Sequence, residues 1–570
     1  MRLRRIVQAL VALGMMATAA GCVPPGKIDS GLVAAYQRAM ARRGPQRRSG
    51  AKGLDLLAPL ATGPELKVAV DPQTGKQRIL LELSEAVQRA LANNLDIRVI
   101  GFDPAIAREE VIQAAAEFDF IVYGAFEYSK QDKRTDSIFK GGMAKERLFS
   151  AGVRKKTITG AEVALDWTWT RSWTDLAIQT LRTRHEPVVG LTITQPLLRD
   201  GWLVVNLATL RIARLNHEVS LVQFRQTVEQ TVSQVIATYW LLVQARQEVV
   251  IQEALLKRTT ETLERIRKRR DVDATAVQIK QAEAAVESRR AVLIRARKAI
   301  LDAQDQLGRL LADKQINTLG RYEIVPATQP LRTQVVISPT DQLVTALQRS
   351  PMLEEARLGI EMADIAVRVA KNQTLPRLDL TASTSFQGLG RTYHQAREQL
   401  HSGDYASYAV GLSLEYPIGN RFARAELRKS RFERLKAITN LQNLADQVAL
   451  EVSERVRQIH TAFEEMRAQR AAVEAARVQL QALEDTERIR AQLTPAFLNT
   501  KLQAQETLAR AERDELQAAI DYNTAMADLA RATGTILDRH QVELETTLSP
   551  KDLERFKLPP RKPRQPRRKP

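Results

Sequence analysis

Gly190-Leu-Thr-Ile-Thr-Gln-Pro-Leu197 recurs 221 residues later as Gly411-Leu-Ser-Leu-Glu-Tyr-Pro-Ile418. In both places an alternating apolar segment runs into a proline, and a long segment without helix breakers follows. Further along, Gln281-Ala282-Glu283 matches Gln503-Ala504-Gln505 at an offset of 222, inside helical patterns closing at Leu307-Gly-Arg-Leu-Leu311 and Leu529-Ala-Arg-Ala-Thr533. Upstream, Ser84-Glu-Ala-Val-Gln-Arg-Ala-Leu91 matches Thr340-Asp-Gln-Leu-Val-Thr-Ala-Leu347 at an offset of 256. The change in offset places an insertion of about 35 residues between 126 and 190. The chain therefore reads as two tandem repeats, 80–315 and 338–538, joined by a connector over 316–337.

Helices are the strongest local signal. Val204 to Arg270 holds no Pro or Gly, and Leu207, Leu210, Leu215, Val219, Val228, Val232, Val235, Tyr239 and Leu242 wander around one helical stripe. Such a segment spans about 100 Å at 1.5 Å per residue. The second repeat does the same from Ala423 to Arg490, with Val448, Val452, Val456, Ile459, Phe463 and Met466. Short turns at Arg270-Asp-Val-Asp273 and Gln492-Leu-Thr-Pro495 lead into return helices over 274–312 and 496–534. Stripes this narrow on helices this long need partner helices, so coiled-coil packing is expected.

The strands alternate. Phe118, Phe120, Val122, Phe126 and Tyr128 share one face, as do Val163, Leu165, Trp167 and Trp169, and then Val189, Leu191 and Ile193. Leu378 and Leu380, and Leu412, Leu414 and Tyr416, follow in the second repeat. This pattern suits either a transmembrane barrel or a soluble antiparallel sheet with one wet face. There is no long apolar run, which excludes a helical membrane protein.

The formal charge of +19 sits at the ends. Residues 1–26 carry +3, 27–52 carry +6 and 559–570 carry +6, which leaves the body at +4. That argues against a basic face for nucleic acid. Arg2, Arg4 and Arg5 precede an apolar core, Ile6–Met16, and the small residues Ala17–Gly21, as in a signal peptide over 1–21. The only cysteine, Cys22, follows Ala19-Ala20-Gly21. This resembles a bacterial lipobox with Ala19 where Leu is usual, so Cys22 is expected to be lipidated; ordinary cleavage leaving a free thiol is the alternative. Residues 22–79 read as a lipidated tether, and 539–570 as a C-terminal segment with a basic tail.

The order of short helices, strand, loop, strand, long helix, turn and return helix, twice over, resembles the TolC-like outer-membrane efflux channel family, of lipoprotein type. The specific parts are Thr194-Gln-Pro-Leu-Leu-Arg-Asp-Gly201, Ala530-Arg-Ala-Thr-Gly-Thr535, and Leu83-Ser-Glu-Ala with Asn93-Asn94. The resemblance implies a mainly α chain with a β-barrel portion. Each protomer would give four transmembrane strands, and a homotrimer would close a 12-stranded barrel on an α-helical periplasmic tunnel. It also implies outer-membrane lipid around the barrel, and a periplasmic adaptor and an inner-membrane pump at the tunnel tip. The chain would be a passive conduit of an efflux or secretion system, needing no cofactor and no metal.

Pro196 and Pro417 are the expected strand-to-helix corners, because proline lacks the N–H that a ladder needs. Family members often carry an Arg-Tyr-x-x-Gly-like sequence at the tip. Here Arg265-Ile-Arg-Lys-Arg269 and Arg488-Ile-Arg-Ala-Gln492 keep the Arg but not the Gly. Arg265, Arg269, Asp271, Asp273, Arg488 and Gln492 are the candidate adaptor contacts, against a solvated helix face. Asp271 and Asp273 read either as pore-facing acids or as turn and N-cap residues for a helix at Ala274. Trp167, Trp169 and Trp173 either sit at a headgroup interface or pack within a hairpin. The histidines, His185, His217, His394, His401, His460 and His540, are scattered, and Gly388-Leu-Gly390 is a fragment of a phosphate loop, so no enzyme site is read. The rival reading is a periplasmic coiled-coil scaffold or adaptor without a pore.

Overall fold

The computed structural model describes residues 68–70, 77–134, 141–176, 178–270, 274–313, 316, 322–489 and 494–542. Strands β1 (Val68–Val70) and β2 (Gln77–Leu81) open it, followed by helices α1 (Leu83–Asn93), α2 (Leu95–Ile100) and α3 (Phe102–Ala115). Four strands come next: β3 (Phe120–Asp132), β4 (Met143–Lys156), β5 (Glu162–Thr174) and β6 (Thr183–Pro196). A short turn of helix, α4 (Leu203–Asn206), leads into the long α5 (Ala208–Lys268) and the returning α6 (Ala276–Leu311). The second half repeats the plan with β7 (Tyr322–Pro326), α7 (Pro339–Arg349), α8 (Pro351–Gln373), β8 (Arg377–Gln387), α9 (Tyr393–Ser402) and β9 (Ala406–Glu415). It ends on the long α10 (Arg421–Ile489), the returning α11 (Pro495–Ala532) and α12 (Ile536–Arg539). Cys22, Asp271, Asp273, Gln492 and the basic tail lie outside the described residues.

The stripes read from the sequence are the buried ones. Val228, Val232, Val235, Tyr239 and Leu242 of α5 enter one core with Leu307, Leu311, Leu516 and Ile520. Val448, Val452, Val456 and Ile459 of α10 enter another with Leu353, Tyr522 and Leu529. The long helices do not form a compact bundle. α6 packs on α5, α5 on α11 and α11 on α10, while nearer the sheet α3, α5, α8 and α10 make a similar row. Each row is a single layer, four helices wide. Its edges are apolar and exposed: Phe102, Ile106 and Ile112 on α3, Ile294 and Leu301 on α6, Phe432, Leu435 and Leu450 on α10.

Two tyrosines hold the halves together. β2 and β7, the entrances to the two repeats, pair in parallel with Ile79 opposite Ile324. The fully buried Tyr239 hydroxyl donates to the Leu81 carbonyl at 2.9 Å and accepts from the Thr328 N–H at 3.0 Å. Tyr522 repeats the device on α11, donating to Thr333 O at 2.9 Å and accepting from Val335 N at 3.1 Å. Beside them, buried Arg89 and Asp313 pair at 2.6 Å.

The second sheet runs β3-β4-β5-β6-β8-β9, antiparallel throughout. It has six strands where the resemblance implied four per protomer, because the insertion in the first repeat forms strands of full length. A chain that enters and leaves a sheet at the same end needs an even number of strands. The alternation in the first repeat marked three, and the missing one is β4.

Two stability effects follow. Tyr239→Phe leaves the part-buried Thr328 N–H without the hydroxyl and takes one of two donors from the Leu81 carbonyl, which keeps Ala327 N–H at 2.9 Å; it is expected to cost about 1 kcal/mol, read as a lower urea midpoint for loss of helical circular dichroism. Glu229 is buried on α5, and burial lifts its carboxyl above the ordinary range despite Arg225 at 2.9 Å. The folded chain then holds that proton more tightly than the unfolded one. The stability it contributes is present in acid and lost as pH rises from the ordinary carboxylate range through the raised value. Glu229→Gln should therefore raise the midpoint near neutrality and leave it unchanged in acid.

Candidate functional site

The register of the six-stranded sheet sorts its residues into two unlike faces. On one lie Phe120, Val122 and Phe126 of β3, Val153, Ala151 and Phe149 of β4, and Val163, Leu165, Trp167 and Trp169 of β5. Ile193, Leu191 and Val189 of β6 continue it, then Leu378, Leu380 and Phe386 of β8 and Leu414, Leu412, Val410 and Tyr408 of β9. This face lies largely open: Val122 is 78% exposed and Val410 74%. Cations and aromatic rings mark its two ends. Lys155 sits 4.2 Å above the Phe120 ring at the helix end. At the loop end Lys145 lies over Trp173 at 5.3 Å and Arg147 over Tyr128 at 5.8 Å. Trp169 stacks on His185 and meets the edge of Tyr393 from α9. An apolar band between aromatic and basic borders is what a bilayer requires of a barrel exterior.

The opposite face is small and polar. Ser129, Ser150, Thr168, Thr170, Thr192, Thr381, Ser383, Ser385, Ser407 and Ser413 line it. It carries seven carboxylates, Glu127, Glu146, Glu162, Asp166, Glu186, Asp379 and Glu415, against Arg154, Lys156, Arg184 and Arg377. Two of the seven are paired along their strands, Asp379 with Arg377 at 2.7 Å and Glu186 with Arg184 at 4.0 Å. Glu127, Glu146 and Asp166 have no ion pair among the described residues.

Sheet and helices meet at two corners. Pro196 is the last residue of β6, opposite Asp379, and Pro417 lies two residues beyond the end of β9. Asp200 and Trp202 follow the first proline at φ 61° and 72°, and Asn420 follows the second at φ 42°. These turns are held by the end of α8. Asn372 Nδ2 donates to Leu198 O at 3.1 Å while its Oδ1 accepts from Asp200 N at 2.8 Å, and Asn420 Nδ2 donates to Thr374 O at 2.9 Å. The asparagines at 372 and 420 escaped the sequence reading, although Asn at a forced positive φ is a recognisable signal.

At the far end the two helical hairpins touch. Arg265, half exposed, reaches Glu487 of the other hairpin at 3.1 Å and Glu261 of its own helix at 3.8 Å. Glu487 also takes the buried ammonium of Lys501. Arg289 donates to Leu502 O at 2.8 Å and to Gln505 at 3.1 Å, and Leu263, Ile266, Val286, Leu498 and Leu502 fill the space between. Arg269 caps α5, and Arg488 sits 3.4 Å from Asp485 on its own helix. The return helix starts from Thr275, whose capping box with Gln278 replaces the expected aspartate N-cap. Neither Lys501 nor Gln505 carried a sequence signal of burial.

Residues 343–535 match the model of a family described as "Outer membrane efflux protein". The outer membrane efflux protein BepC of Brucella suis biovar 1 (strain 1330) is 25% identical over 355 residues, 62% of this chain and 73% of that protein. The outer membrane protein TolC of Escherichia coli (strain K12) is 26% identical over 213 residues, 36% of this chain and 42% of TolC. Among solved structures, the outer-membrane channel OprN superposes with a TM-score of 0.59 at 16% identity, over 86% of this chain and 98% of its own. The CmeC outer membrane channel of Campylobacter jejuni gives 0.59 at 15% identity, over 83% and 88%. At those identities the structural likeness is one of fold. The second repeat thus matches the model of the outer membrane efflux protein family, and the first repeat follows the same order of elements.

Proposed function

We propose that this chain is the outer-membrane channel of a tripartite efflux or secretion system, a passive conduit whose sheet crosses the membrane and whose helices form a periplasmic tunnel. The observation that carries it is the sorting of the sheet, with an open apolar face bordered by aromatics and cations and a polar face behind it. A scaffold working wholly in water would leave that apolar face uncovered, far larger than a soluble surface tolerates.

One copy is an incomplete wall. β3 and β9 are unpaired edges that run in opposite directions, so β9 of one copy meets β3 of the next in antiparallel. The exposed apolar edges on α3, α6 and α10 need cover in the same way. A ring of copies supplies both, and the family resemblance makes it a homotrimer. Residues 1–21 act as the export signal and Cys22 carries the lipid, an anchor additional to the barrel. A periplasmic adaptor, bound to an inner-membrane pump, docks on the tip through Arg265, Arg269, Asp271, Asp273, Arg488 and Gln492.

The reading predicts that Cys22→Ala, exported from a cleavable signal, still requires detergent for extraction; release into buffer would sink it. Its polar face carries more carboxylates than cations, so the pore should prefer cations. In a salt gradient across a planar bilayer the reversal potential should show K⁺ permeating faster than Cl⁻. Glu127→Gln with Glu146→Gln and Asp166→Asn should bring the permeability ratio towards one.

A further inference from the structure

We infer that this channel's barrel is closed by eighteen strands, six from each copy, with the inserted β4–β5 hairpin as two full staves of the wall. The inference rests on the trimeric channel reading, and goes beyond it in fixing the width of the pore and the position of the insertion.

The hairpin is built into the sheet. β4, of 14 residues, pairs with β3 along the whole length of β3, and β5, of 13 residues, pairs with β6 from Glu162 to Trp173. Both strands keep the sorting of their neighbours. Val153, Ala151 and Phe149, with Leu165, Trp167 and Trp169, continue the apolar face, while Gly152 and Ser150, with Asp166, Thr168 and Thr170, continue the polar one. A hairpin laid over the outside of a smaller barrel would have no reason to present polar residues in register with the lumen. Its inner turn is also fixed at the level of the corners. Thr159 O accepts from Trp202 N at 2.9 Å and from Gln195 Nε2 at 3.2 Å. Gly160, at φ +90°, lies so close to Asn206 that a Cβ would fall 2.6 Å from its amide nitrogen.

Strands ~4.8 Å apart and tilted by ~40° each take ~6.3 Å of circumference, so eighteen need ~113 Å. A barrel of this size encloses an open aqueous lumen.

Disulfide trapping tests the wall in the assembled, conducting oligomer on a Cys22→Ala background. Ala125, Ser150, Thr168 and Val188 lie side by side across β3, β4, β5 and β6 on the polar face. The adjacent pairs Ala125→Cys with Ser150→Cys, and Thr168→Cys with Val188→Cys, should cross-link under mild oxidation. Ala125→Cys with Val188→Cys, three strand spacings or ~14 Å apart, should not. Cross-linking of that third pair in a conducting oligomer would mean β3 lies directly against β6 with the hairpin expelled, and would overturn the inference while leaving the channel reading intact. Native mass of the same sample should give three copies; two would close twelve strands and also overturn it. If a cysteine pair fails to assemble, the strand count in an electron cryomicroscopy map of the unmodified oligomer decides, eighteen upholding and twelve refuting. A monomer that neither inserts nor conducts would instead refute the channel reading.

Discussion

The free edges of β3 and β9 are the constraint on which the rest depends. In hydrocarbon an unpaired backbone N–H or C=O costs several kcal/mol, so a sheet with an apolar exterior cannot end in an open edge. The chain cannot curl its six strands onto themselves, because the helix rows beneath are just as open. Sheet and helices have matching requirements at both edges, and copies of the same chain would meet both at once.

The helical half answers a second constraint. Helices of 61 and 69 residues cannot be held by propensity alone; they persist because narrow stripes are buried against neighbours. Along the layer the buried residues fall into separate clusters, a large one around Tyr239 and smaller ones towards the tip. The strongest fixed point is the belt where Tyr239 and Tyr522 clamp the strands and connector entering each repeat. Towards the tip, polar pairs join the apolar cluster: Arg289 with Gln505 is buried, and half-exposed Arg265 meets Glu487. The exposed pair contributes modestly and can exchange partners.

Much of this was legible in the residues. The stripes of α5 and α10, the recurrence of the Gly-x-x-x-x-x-Pro corner and the alternation in β3, β5, β6, β8 and β9 each reflect a local periodicity. β4 was hidden because its rim positions hold Lys145, Arg147 and Lys155, and its polar face holds Glu146 and Arg154, so hydrophobic alternation survives only from Phe149 to Val153. Only the parity of crossings betrays it. The corner turns at Asp200, Trp202 and Asn420, and the ion pairs at the tip, join residues remote in sequence, and no single-chain pattern records such meetings. Standing next to a helix start, the aspartates at 271 and 273 suit a cap as well as a pore lining, but Thr275 with Gln278 makes the reciprocal pair of hydrogen bonds and takes the capping role.

The central claim is that the polar face of the sheet lines a pore that exists only when copies assemble. Single-channel recording of the detergent-purified protein in planar bilayers tests it most directly. The account predicts discrete conductance steps from an oligomer, in the range of a wide aqueous channel. A folded, correctly assembled species that enters the bilayer without conducting, or that never enters it, would contradict the account.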